Sequence, residues 1–166
     1  MNKDLKLVPH LVPKPLWGKS AANLLPRASW DRIRADILTA ANHKCQVCKE
    51  KSRMLSCHEM WLYDDKNGVA TLVEFRMQCR DCDQVVHMGR AVKHGGGRAA
   101  LIHLCRINFI SPKEGRAIYD GAMADWKERS KRTWRIDVAK ALLERYPQLS
   151  ALIESTPVPT AAEKID

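Results

Sequence analysis

The sequence lacks any run approaching the ~18 consecutive apolar residues that a membrane-spanning helix needs. Its N-terminal stretch also lacks the unbroken apolar run of a secretory signal, because Pro9, Pro13 and Pro15 interrupt it. No segment repeats another. Acidic residues are in short supply, 19 Asp+Glu against 28 Lys+Arg, which leaves a net charge of +9. These absences exclude a membrane span and argue against secretion; the expectation is a soluble, cytoplasmic protein that makes no use of a membrane. What is present suffices for a core: 166 residues, 45% of them hydrophobic, fit one domain of the usual ~100–200 residues with a small appendage.

Six cysteines could serve disulfides in a secreted protein or metal ligands in a cytoplasmic one. Four of them form two C-x-x-C pairs, Cys45/Cys48 and Cys79/Cys82, which decides for metal. The surplus of cationic side chains asks for an anionic partner, and nucleic acid is the commonest. Charge by itself also serves solubility.

Residues 1–28 carry Lys3, Lys6, Lys14, Lys19 and Arg27 against Asp4, a net +4, and read as an extended basic arm whose Leu16 and Trp17 dock on the domain. Residues before prolines are biased away from helix; a disordered tail is the alternative. Ser29 is placed as an N-cap, with Trp30, Ile33, Ile37, Leu38 and Ala41 at helical spacing over roughly 30–42. Two strand-like runs follow the first cysteine pair, Met54–Tyr63 and Val69–Met77, joined through Asn67-Gly68, a strong hairpin signal. Asp64 and Asp65 beside it shape the turn. The second pair opens a short helix near Arg80–Met88, the glycines at 95–97 break the chain, and a helix over 98–107 follows. Ser111-Pro112-Lys113-Glu114 combines a capping box with proline at the first helical position and opens a helix over 112–130, weakened locally by Gly115 and Gly121. A last helix is expected near Ile136–Arg145, stopped by Pro147, with a flexible tail over 151–166.

Thiolates bind zinc tetrahedrally at ~2.3 Å, so each C-x-x-C turn supplies two corners. The 30 residues between Cys48 and Cys79 are enough for a hairpin, and the second pair runs directly into a helix. Knuckle, hairpin and knuckle at a helix start describe a treble-clef ββα zinc finger. A structural zinc on Cys45, Cys48, Cys79 and Cys82 would then be a folding requirement. The fold expected is α+β, with that core preceded by one helix and followed by about three.

Inside the hairpin lies Cys57-His58-Glu59, and beyond the second knuckle Asp83 and His87 stand at i, i+4 on one helical face. Folding the hairpin on the helix brings these groups together, a set suited to holding a divalent ion and deprotonating water. Glu59 is an alternative ligand, and Cys57 with His58 could contribute to a zinc site of their own. At these residues the chain resembles the HNH (His-Me finger) endonucleases over roughly residues 43–90. The resemblance implies a general base at His58 and metal-binding helix residues at Asp83 and His87, with Mg²⁺ or another divalent ion as catalytic cofactor. It departs from the family pattern in three places. Asp83 stands where a histidine usually follows the second knuckle, Cys57 where an acidic or histidine ligand precedes the base, and Glu74 where the hairpin asparagine is usual.

Around the second knuckle, Arg76, Arg80, Arg90, Lys93, Arg98 and Arg106 outweigh Asp81 and Asp83 by four charges. A second basic cluster holds Lys127, Arg129, Lys131, Arg132 and Arg135 between Trp126 and Ile136. Both read as candidate phosphate contacts. The glycines at 95–97 could approach a phosphate or form a plain loop. Trp126 packs with Ile118 and Ala122 or stacks on bases, and Cys105 reads as core. His10, His43, His94 and His103 show no partner pattern. The organisation expected is a basic arm (1–28), an HNH-like zinc domain (29–108), a helical extension (109–150) and the tail (151–166). The function expected is cleavage of DNA. The alternative is a catalytically inactive zinc-finger protein that binds nucleic acid or another protein as adaptor or inhibitor.

Overall fold

The computed structural model describes residues 5–156. The proline-rich arm is folded rather than simply extended: a 3-10 turn, Lys14–Leu16, and a short helix α1, Ala21–Leu24, interrupt it. Leu16 is buried as expected, whereas Trp17 is 61% exposed and stacks on Trp126. Helix α2 spans Arg27–Ala40 and is capped by Pro26, with no side-chain cap bond, instead of starting after Ser29. Pro26 sets that boundary, because its ring bars Leu25 from helical geometry; Leu25 is extended at ψ 151°.

Strands β1, Leu55–Asp64, and β2, Val69–Cys79, form the expected antiparallel hairpin. Asp64 closes the turn by accepting the backbone N–H groups of Lys66 and Asn67 at 3.0 Å. A bulge between Met60 and Trp61 interrupts the register. The segment expected to begin the last helix instead supplies a third strand. Strand β3, Arg135–Val138, pairs in parallel with β2 from Val69 to Leu72, giving the order β1-β2-β3. Ile136 and Val138 are β-branched and buried, and β2 offers them a free edge.

The hairpin is followed by the expected core helix, α3 (Arg80–Val86), and then by more helices than the three expected after the core: α4 (Met88–Lys93), α5 (Gly97–Asn108), α6 (Pro112–Arg129), α7 (Lys140–Arg145) and α8 (Ser150–Glu154). A break at His87 separates α3 from α4. The capping box at Ser111 and Glu114 is formed. Gly115 has a packing reason, since a Cβ there would lie 2.5 Å from Cys105 Sγ and 3.1 Å from Leu101 Cδ1. Cys105 is half-buried at this α5–α6 contact, not in a core. The expected tail is corrected over residues 151–156: Leu152 is fully buried and Thr156 Oγ1 accepts the Ile136 N–H at 3.0 Å. Residues 157–166 lie outside the described ones. Among the described residues no helix is long and apolar enough to cross a membrane.

Two apolar clusters share the hairpin. One gathers Leu16, Ile33, Leu72, Ile136 and Leu152 around its turn end; the other gathers Leu7, Leu55, Met77, Met88 and Leu104 with three of the knuckle cysteines. Ile37 and Cys57 touch both. The arm is held by Asn108, a buried side chain whose Oδ1 accepts Lys6 and Leu7 N–H groups while its Nδ2 donates to the Leu7 and Leu104 carbonyls. Asn108→Ala would orphan these buried backbone groups, at about 1–3 kcal/mol. Thermal denaturation should show that loss, and amide exchange should accelerate at Lys6 and Leu7.

Candidate metal centres

The first cysteine pair sits in a turn closed by Cys45 N–H to the Glu50 carbonyl and Lys49 N–H to the Cys45 carbonyl, with Lys49 at φ 66°. Gln46 docks this turn on the end of β2: its N–H donates to the Met77 carbonyl at 2.9 Å and its Oε1 accepts the Met77 N–H at 2.7 Å. Cys79, which ends β2, and Cys82 on α3 are thereby brought to Cys45 and Cys48. All four sulfurs lie within 4.8 Å of one another. Cys48 and Cys79 are 3.7 Å apart, far beyond a disulfide. That separation matches the edge of a tetrahedron with bonds of ~2.3 Å, about 3.8 Å. The cluster could hold a metal ion such as zinc. A hydrogen bond from Cys82 pulls the Cys45 thiol down to about 4, while burial pushes Cys48 up to about 11. The Cys45 thiolate forms readily, whereas that of Cys48 needs a cation to offset its charge.

His103, which showed no partner pattern in the sequence, is buried with Nε2 3.2 Å from Cys82 Sγ. Its Nδ1 faces Arg106 Nη2 at 3.2 Å. A guanidinium only donates, so Nδ1 accepts and Nε2 carries the proton toward sulfur. Burial, then the Arg106 charge, holds the ring below the usual histidine range and keeps it neutral. The chain Arg106–His103–Cys82 therefore delivers positive potential to a sulfur of the cysteine cluster. His103→Ala is expected to weaken metal retention about 10- to 100-fold in a competition against a chelator.

The second centre forms where α3 crosses the hairpin. His58 belongs to the alternate set of β1 residues that includes exposed Ser56 and Leu62, yet it is only 5% exposed. Nitrogens of His58 and His87 and an oxygen of Asp83 lie within 4.8 Å of one another. His87 Nε2 and Asp83 Oδ1 are 3.7 Å apart, too long for a hydrogen bond. Two ligands at that separation subtend about 120° at an ion with ~2.1 Å bonds. Arg90 lies 3.8 Å from the other Asp83 oxygen.

A further histidine backs this centre through His58 without joining its three ligand groups, and sequence reasoning missed it. His10, fixed by its N–H to the Val86 carbonyl, places Nδ1 3.3 Å from His58 Nε2 and Nε2 2.9 Å from the Trp61 carbonyl beside the bulge. The carbonyl can only accept, so His10 Nε2 is protonated and its Nδ1 accepts from His58 Nε2–H. The lone pair of neutral His58 then lies on Nδ1. Burial lowers His10 and His87, and it lowers His58 to about 3, with His87, His10 and Arg76 adding to that shift. A signal was present in the sequence only as a histidine two positions before the Val12-Pro13 pair, which says nothing of its partner.

The candidate phosphate contacts divide. Arg129 makes a bidentate pair with Asp65 at 2.9 and 2.8 Å, and Arg132 bonds the Asp65 carbonyl. Asp65 thus anchors α6 rather than only shaping the turn. Arg76 pairs with Glu74, and Lys131 with Glu128. Arg80, Lys93, Arg98, Lys127 and Arg135 are exposed. Trp126 is half-buried and donates to the Val12 carbonyl. Glu59, next to His58 on β1, is not among the clustered ligand atoms; burial raises its carboxyl to about 7 although its Oε1 accepts the Ala21 N–H at 2.7 Å.

No family model matches the chain, and no significant match was found among curated proteins or solved structures.

Proposed function

We propose that the chain is an HNH-like, metal-dependent endonuclease that hydrolyses DNA phosphodiester bonds from a treble-clef core held by structural zinc. The observation that supports it most is the convergence of His58, Asp83 and His87 between a hairpin and a helix whose ends meet at four cysteines. Asp83 and His87 would hold a divalent ion, which when bound supplies charge for the developing phosphorane-like transition state. His58 Nδ1 takes the proton of the attacking water, and His10 holds His58 in the tautomer that leaves this lone pair free. Arg90, on the rim beside Asp83, meets the phosphate's remaining charge.

A second reading is a catalytically inactive zinc-finger protein that binds nucleic acid or acts as an adaptor or inhibitor of another protein. The 5% exposure of His58 favours it, as does the Glu74–Arg76 ion pair where the family's asparagine is usual. Nicking of supercoiled plasmid with Mg²⁺ or Mn²⁺, by the wild type and by His58→Ala, decides between them. Equal behaviour of the two proteins removes the nuclease reading.

A further inference from the structure

A cavity of about 780 Å³ opens beside the histidine centre, with His87 on its wall. Whatever occupies it lies next to the groups to which the nuclease reading assigns chemistry. Its lining is unusual for a chain with so few aromatics: Trp17, Trp61 and Trp126 all reach it, three of the five tryptophans. Trp17 and Trp126 are stacked at 6.5 Å and donate to the same Val12 carbonyl, so the indole wall is fixed rather than floppy. Lys19, Arg90 and Lys93 stand among its lining, while its one carboxylate, Glu59, is tied to the backbone of Ala21.

This distribution sorts the parts of a nucleotide. Flat indole faces receive a planar base, and stacking on them tolerates any base because each has a π-face. Arg90 and Lys93 attract phosphate to the end of the cavity near His87. We propose that this cavity takes an unpaired base of a single-stranded nucleic acid, leaving the adjoining phosphate at His58, Asp83 and His87. A base within a duplex is stacked on its neighbours and cannot enter, so the substrate class is single-stranded or locally unpaired DNA or RNA. The inference rests on the nuclease reading for the phosphate's fate but not for the binding.

Binding can be read from tryptophan fluorescence and from anisotropy of labelled 12-mers, using the full zinc-loaded chain with no Mg²⁺ or Mn²⁺ added. Oligo-dT or oligo-U should quench the indoles and bind at least tenfold more tightly than a dT·dA duplex. Trp17→Ala, at an exposed position and with its melting temperature checked, should weaken single-strand binding about tenfold and leave duplex affinity unchanged. Lys93→Ala should lower the slope of log affinity against log salt by about one. Equal affinity for single strand and duplex overturns the proposal, as does a Trp17→Ala protein of unchanged affinity or the absence of oligonucleotide binding, which would leave a protein partner for this surface. Single-strand binding without plasmid or oligonucleotide cleavage sustains the cavity's role and sinks the nuclease reading alone; duplex cleavage without single-strand preference does the reverse.

Discussion

Replacing Cys79 by alanine is expected to leave a chain that retains no zinc and shows no cooperative unfolding transition. Structural zinc sites contribute about 10–16 kcal/mol of apparent binding free energy, comparable with the whole ~5–15 kcal/mol stability of a domain. Cys45, Cys79 and Cys82 are also members of the apolar cluster that contains Met77, Met88 and Leu104, so the loss is felt in packing as well. Two turns would depend on the same ion: the Cys45–Glu50 turn, docked on the end of β2 through Gln46, and the start of α3 at Cys79. Elemental analysis of the purified chain should give one zinc per molecule for the wild type and none for the variant, with a matching loss of the thermal transition. Cys105→Ser, in the half-buried α5–α6 contact away from the cluster, should keep both. A wild-type chain that holds no metal yet melts cooperatively would overturn the zinc reading.

His58→Ala should reduce divalent-metal-dependent cleavage by about 10²- to 10⁴-fold, the usual contribution of a positioned proton acceptor. Its effect should exceed that of His10→Ala, since His10 orients His58 without being the acceptor. Acid should act on stability through the same residues. Folded His58 takes up a proton only near pH 3, against 6.5 for the ordinary side chain, and His10 and His87 are lowered too. Between those values the unfolded chain binds more protons, so stability falls as pH falls below about 6.5. The melting temperature at pH 5.5 should therefore lie below that at pH 7.5, and the difference should shrink in His58→Ala.

The cysteine turns, the hairpin and the α6 cap were legible because each is a local pattern: C-x-x-C, Asn67-Gly68 and Ser111-x-x-Glu114 state their geometry within a few residues. The i, i+4 spacing of Asp83 and His87 was legible for the same reason. Strand β3 was not, because Ile136–Val138 becomes a strand only against the β2 edge, more than 60 residues earlier in the chain. The boundary of α2 shifted because proline geometry at Pro26 outweighed the capping preference of Ser29. His10 and His103 were unreadable, since their meaning lies in partners 48 and 21 positions away.

Taken alone, the sequence determined which residues could ligate a metal, that a hairpin lies between the two cysteine pairs, and that basic charge surrounds the second pair. Only the tertiary structure decided which of those charges are engaged internally, as Arg129 is with Asp65, and which histidine faces His58. The reason is physical: a turn or a helical face is fixed by neighbours along the chain. The tautomer of a histidine, its burial and the shape of a cavity are fixed by atoms that arrive from the far ends of the chain.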